Sequence, residues 1–352
     1  TGGATALWLS LGVLPAISIQ ARWSCYLSLQ VVAAPFLNFQ WDLLLLEIMF
    51  LSLFYLPWQL REKYSEPYNP NGIGRWLLWL LLFKLMFESG VVKFTYFGSG
   101  DTNTWLDLTA LNYHYWTQPI PSWISWYFHW LPQWFNKLAL LITYAVEMIL
   151  PFFIFLPRRL KNIAITGLIF LQVMIIITGN YGFFNLLTII LCLPLLDDQS
   201  IPASIRKIFE LKNNDNYLIG LPRRLQSAVG ALVLFIFVWT GCYYLRLDLR
   251  GNRSNITGVS ISPTGVTRSL IRSAGYSRSM NSYGLFRVMT TTRPEIIIEH
   301  SSDGENWIPY YFDYKPVALQ MRPRFFFPHM PRLDWQMWFE ALYIERLMDA
   351  QF

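Results

Sequence analysis

The sequence predicts an α-helical polytopic membrane bundle followed by a small extramembrane β-rich, β-sandwich-like C-terminal domain. Three observations carry that expectation. Residues of the apolar set make up 54% of the 352-residue chain and charged residues only 14%, a balance foreign to a soluble domain of this length. With 26 Phe, 19 Tyr and 16 Trp, the chain is rich in rings that settle at membrane interfaces. Apolar runs of membrane-crossing length recur up to residue 245, and beyond it helical periodicity fades. The expected division is a multi-span domain, 1–245, with an aromatic lumenal loop at 98–137, and a lumenal or extracytoplasmic β-rich domain, 246–352. The formal charge of +6 then reads as membrane topology. No basic run with interleaved aromatics stands outside membrane-flanking loops, so membrane lipids are the expected partners and nucleic acid is not.

Taken in order, 7–19 and 23–37 are short apolar stretches interrupted by Pro15 and Pro35, suited to interfacial or kinked helices. The run 39–60 carries Asp42 and Glu47 near its start, where an acid faces headgroups or meets lysines of the next helix. A polar loop rich in Pro and Gly follows. The run 75–97 is long enough to span, yet it holds Lys84, Glu88 and Lys93. A charge at membrane depth costs about 2.5–3.5 kcal/mol, so such groups face a bundle interior and find partners there. Lys84 and Glu88 stand four apart, on one helix face and within pairing reach. A structural ion pair that fixes packing is favoured over a chemical role. The loop 98–137 is too polar to span and reads as short surface helices capping the bundle. Spans are expected at 138–156, 163–178, 183–196 and 225–245. Glu147 in the first and Gln172 in the second are candidate partners for Lys84 or Lys93. Beyond the last span, 294–300 and 307–314 are β-rich runs joined by the turn signal Asp303-Gly304, and an amphipathic helix is expected over 333–348.

Lys and Arg mark cytoplasmic loops. Arg61, Lys63 and Arg75, then Arg158, Arg159 and Lys161, then Arg206, Lys207, Lys212, Arg223 and Arg224 alternate with connections poor in positive charge. The aromatic loop and the C-terminal domain therefore fall on the same lumenal side. Two sequons there make Asn252 and Asn255 glycosylation candidates. Opening on Thr1 without a Met, the chain reads as a mature or incomplete product.

Several segments resemble one family. They are FQWDLLLLE at 39–47, KLMFESGVVKF at 84–94, WLDLTALNYHYWTQPIP at 105–121, GNYGFFNLLTIILC at 179–192, NSYGLFRVMTTTRPEIIIEHSSDGENW at 281–307 and PRLDWQMWFEAL at 331–342. Together they cover most of 36–345 in the order of the lipase maturation factor family. The resemblance implies an endoplasmic-reticulum membrane protein that helps dimeric lipases reach their assembled, active form. It also implies additional sequence and a membrane span ahead of the region where this chain begins.

Chemistry is thinly signalled. His114 lies in the lumenal loop beside Tyr115 and near Gln118, and without a nucleophile in sequence reach it reads as a hydrogen-bonded loop histidine. His129, His300 and His329 lack metal-ligand spacing. Cys25, Cys192 and Cys242 sit in apolar segments and read as buried, inert thiols. No phosphate-loop, dinucleotide or nucleophile-elbow motif occurs. No catalytic residue, metal or cofactor is expected. The leading function is a membrane-embedded folding factor holding a client lipase. One alternative is an accessory subunit bound to other membrane subunits. The other is an enzyme distantly similar to vitamin K-dependent carboxylase, with Lys84 or Lys93 as a desolvated base.

Overall fold

The computed structural model describes residues 3, 7–9, 14–56, 58, 71–197, 223–252, 263, 265–316, 321–324 and 330–349. Helix α1 (Pro15–Val32) opens on Pro15, whose missing N–H is no loss in a first turn. That proline therefore starts a helix and does not interrupt one, and Pro35 lies beyond its end. Helix α2 (Gln40–Ser52) is shorter than the run 39–60. Asp42 secures its first turn by accepting the Phe39 amide at 3.2 Å.

The charged run forms α3 (Gly72–Thr95), capped by Asn71, whose side-chain oxygen accepts the Ile73 amide at 3.1 Å. Gly74 lets α3 approach the end of α2, because a Cβ there would stand 2.2 Å from the Phe54 carbonyl oxygen. The stretch after α3 makes a short 3-10 turn and two short helices, α4 (Ala110–Thr117) and α5 (Trp123–His129). Helix α6 (Gln133–Phe153) passes through a π-helical turn over Ala145–Ile149 that carries Glu147; such single-turn bulges often mark functional sites. Helices α7 (Arg158–Thr178), α8 (Phe184–Cys192), α9 (Arg223–Arg250), α10 (Gly265–Ser277) and α11 (Arg332–Asp349) follow.

Among the described residues, Gln133–Phe153, Arg158–Thr178 and Arg224–Arg250 are long and apolar enough to cross a membrane. Only 17–33% of these helices is buried inside the protein. Phe170 on α7 and Leu232 and Phe235 on α9 are among the apolar side chains left exposed, which suits lipid as their solvent and fits an integral membrane protein. The expected span 183–196 is shorter than a bilayer core requires, since its apolar helix runs only Phe184–Leu195. Helix α3 has the length, but its four charged residues, Arg75, Lys84, Glu88 and Lys93, keep it out of the apolar set.

The core gathers around Leu77, Leu81, Leu82 and Leu85 of α3 with Leu44 and Leu51 of α2, Leu168 of α7 and Leu191 of α8. Helix α9 runs along α3, and α11 closes over the end of α2. There Trp335 meets Trp41 edge-on at 4.9 Å, and Phe39 stacks on Trp41 at 4.6 Å.

The described residues do not form the expected β-sandwich-like C-terminal domain. They contain one sheet of two strands, β1 (Glu299–His300) and β2 (Ile308–Pro309), antiparallel with Glu299 opposite Pro309. Several β-branched and aromatic residues of the two runs are exposed, Ile297, Trp307, Ile308 and Tyr311 all above half. Among the described residues no second sheet packs on them, and strand propensity without a packing partner builds no sandwich. The Asp303-Gly304 turn is formed as expected: Asp303 accepts the amides of Glu305 and Asn306. Those bonds hold its carboxyl well below the usual range.

Candidate functional site

All six charged residues singled out in the sequence are buried. The pairing of Lys84 with Glu88 does not occur. Lys84 reaches across to α2, where its ammonium donates to Glu47 at 2.9 Å and lies over the rings of Phe237 and Tyr283 at 4.6 and 5.3 Å. Helix packing decides this: α2 crosses α3 at Lys84, and an acid arriving from another helix meets the ammonium more directly than one on the same helix. Glu88 instead accepts the Tyr283 amide at 3.0 Å through one oxygen, and its other oxygen has no partner.

Tyr283 belongs to a segment, 279–287, that follows α10 and enters the bundle. Its Tyr283 hydroxyl and Asn281 side-chain amide donate to Glu47 at 2.6 and 2.8 Å, and the Asn281 backbone amide adds a third bond at 3.1 Å. Gly284 donates to Gln40 at 3.2 Å. Arg287 pairs with Asp248 of α9 at 3.0 Å while lying over the Tyr96 ring. A carboxylate buried in the helical core thus has its acceptor sites filled by a loop from outside α2, the arrangement that makes such a charge tolerable.

The other two acids have separate partners. Asp42 meets Arg332 of α11 through both oxygens at 2.8 and 3.0 Å and accepts the Tyr26 hydroxyl at 2.5 Å. Glu147 takes Lys93 through both oxygens at 2.7 and 2.6 Å. Gln172 pairs with neither lysine; it accepts from Asn185 at 2.7 Å.

The loop residues form their own chain of bonds. Gln118 donates to the Thr178 carbonyl at 2.8 Å and accepts the Tyr181 hydroxyl at 2.9 Å; that hydroxyl in turn lies 3.1 Å from His114 Nε2. Burial first and the Lys93 charge second push His114 down to about 4, so it is neutral near pH 7. Burial pushes Tyr115 up to about 12. Asn252 exchanges two bonds with the Phe97 backbone, donating at 2.6 Å and accepting at 2.9 Å; Asn255 lies outside the described residues. Cys242 is exposed, in contrast to the expected burial, because its face of α9 looks outward. No group of three or more metal-ligating residues occurs among the described residues.

Arg332, Asn281, Tyr283, Asp248 and Tyr181 escaped the reading of single residues. Three of them stand in short polar breaks (NSYG, GNYG) between apolar runs, a visible signal once buried charges are known to need donors.

A family model described as the Lipase maturation factor transmembrane domain matches residues 3–203, and one described as the Lipase maturation factor C-terminal domain matches 279–349. The chain belongs to the lipase maturation factor family. It is 35% identical over 91% of its length to Lipase maturation factor 2 of Xenopus tropicalis and, equally, to Lipase maturation factor 2 of Homo sapiens. It is 30% identical over 96% of its length to Lipase maturation factor 1 of Mus musculus. The chain spans 57–59% of the length of these relatives. No solved structure matches it. Both regions characteristic of lipase maturation factors meet at Glu47: the acid lies in the first, and Asn281 and Tyr283, which bind it, lie in the second.

Proposed function

We propose that the chain works in the endoplasmic reticulum membrane as a maturation factor that holds secreted lipases while they assemble, and that it does so without catalysing a covalent step. The likeness over 91% of the chain to proteins named Lipase maturation factor 2 carries this reading. In it, residues 1–245 form the membrane domain, and loop 98–137 and residues 246–352 share the lumenal side. Contacts between those two parts support the shared side. Trp338 of α11 donates to the Thr117 carbonyl at 2.9 Å, and Arg293 donates to the carbonyls of Trp116 and Gln118 at 2.9 and 2.5 Å.

The client surface in this reading is the aromatic rim around α5. Trp126, Tyr127, Trp130 and Trp134 are each at least 60% exposed, and exposed rings of this density suit the apolar face of an unassembled subunit. A secreted dimeric lipase expressed with this chain, in cells lacking their own lipase maturation factors, tests the reading through lipase activity per mass of lipase secreted. Activity should return with the chain. Replacing Trp126, Trp130 and Trp134 by Ser should at least halve it at unchanged abundance of the chain. Full activity with the triple variant would remove the rim from the reading, and no activity with the parent chain would remove the client.

A further inference from the structure

Between α3, α4, α6 and α7 lies a cavity of about 120 Å³. Leu85, Leu171, Ile175 and Phe184 make part of its lining apolar. Lys93, Glu147, His114, Tyr181 and Asn185 line the same space. Lys93 and Glu147 neutralise each other at 2.6–2.7 Å, so the cavity offers no net charge to a bound ion. What it offers is decided by the hydrogen-bond bookkeeping of the neutral groups.

Gln118 fixes that accounting. Its amide nitrogen donates to the Thr178 and Tyr115 carbonyls, so its oxygen is the acceptor and the Tyr181 hydroxyl must spend its proton there. Tyr181 can then only accept from His114, which places the proton of the neutral ring on Nε2. His114 Nδ1 is left as a lone-pair acceptor, buried and without a partner. Asn185 donates its amide to Gln172, and its buried oxygen likewise has no partner. Two acceptors on cavity-lining residues therefore lack a donor, against the general rule that buried polar atoms are paired.

We propose that this cavity binds an apolar alcohol, whose hydroxyl donates to Asn185 Oδ1 or His114 Nδ1 while its carbon body lies against Leu85, Leu171 and Ile175. An apolar cavity of about 150 Å³ holds benzene, so the part enclosed in 120 Å³ is on the order of five or six heavy atoms. Either a compact alcohol or the hydroxyl end of a lipid meets that description. Water alone would satisfy the acceptors but would gain nothing from the apolar lining.

The full chain in detergent micelles, photolabelled with a long-chain alcohol carrying a diazirine, tests this directly, with the methyl ether of the same probe as control and benzyl alcohol as competitor. The alcohol should label peptides containing 85–93 and 171–185, and the ether should label them at least tenfold less. Displacement by benzyl alcohol is expected from either source. Labelling by the long-chain probe identifies a lipid end, and displacement of the native occupant by benzyl alcohol without such labelling identifies a compact alcohol. The variant Asn185→Leu should lower specific labelling at least fivefold. Equal labelling by alcohol and ether, label confined to outward residues such as Ile163 and Phe170, or no binding of either alcohol would overturn the proposal and leave a water-filled cavity. The ether comparison needs no variant, so a misfolded Asn185→Leu chain would not spoil the test.

Discussion

A lysine buried in a protein core is only as secure as its partner, and Lys93 is held by both oxygens of Glu147. Removing one member of such a pair leaves an unpaired buried charge and costs about 3–5 kcal/mol, whereas removing both together costs far less. The single variants Lys93→Met and Glu147→Met should therefore lower the unfolding midpoint in detergent more than the double variant does. Additive losses in the double variant would show that the two groups act independently. That these charges needed partners was legible from their apolar runs. Which partners was not, since Glu88 and Glu47 are equally plausible for Lys84 until α2 is placed across α3. His114 gives a second test at this scale. Its folded value of about 4 lies below the ordinary imidazole range, so between about pH 6.5 and 4 the unfolded chain binds the extra proton. Stability from this group is complete above that window and lost as pH falls through it. Around it stand Tyr115, Tyr181 and the paired Lys93. The unfolding midpoint should fall between pH 7 and 5 in the parent chain and fall less in His114→Gln; parallel slopes would assign the change to other groups.

Helices here are positioned by close approaches that differ in how much they can yield. A Cβ at Gly74 would meet backbone, the Phe54 carbonyl oxygen at 2.2 Å, while one at Gly90 would meet the Met148 sulfur at 2.5 Å, the far part of a flexible side chain. Overpacking costs about 1–3 kcal/mol where neighbours cannot move. Gly74→Ala should lie at the upper end of that range and Gly90→Ala near its bottom, as measured by thermal unfolding of the two variants side by side. Equal losses would mean that the π-helical turn carrying Met148 is as unyielding as a carbonyl. Helix existence could be read from apolar periodicity, and α3, α6, α7 and α9 fall close to their expected places. The turn at Asp303-Gly304 and a strand on either side of it could be read as well, but how short those strands are could not. Runs such as Glu295–Ile296–Ile297–Ile298 have strand propensity, yet this segment is fixed by polar anchors instead. Arg293 grips loop carbonyls, Lys315 pairs with Glu295, and the Tyr314 and Lys315 amides donate to Asp334 of α11. Those anchors come from distant parts of the chain, and no local pattern announces them.

On the scale of the molecule, the C-terminal region is part of the membrane fold and not an appendage to it. Glu47 receives three donors from Asn281 and Tyr283, Glu88 receives its hydrogen bond from Tyr283, and Asp42 receives both of its charge-assisted bonds from Arg332. A chain ending at Arg278 would leave Lys84 as the sole partner of Glu47 and strip the arginine from Asp42. Each buried acceptor left open costs about 1–3 kcal/mol, and the sum over these groups approaches the whole stability of an ordinary domain. The shortened chain should accordingly fail to give a monodisperse peak in detergent and should be cleaved by protease within its helices, where the parent chain is protected. The variant Tyr283→Phe in the full chain separates this from a general effect of truncation, because it removes one hydroxyl donor to Glu47 and leaves the rest of the chain in place. It should shift the unfolding midpoint downward while leaving the elution profile intact. A stable, protected bundle from the chain ending at Arg278, with Tyr283→Phe also silent, would mean that the buried acids find water or lipid donors of their own. The inserted segment would then be a passenger in the fold.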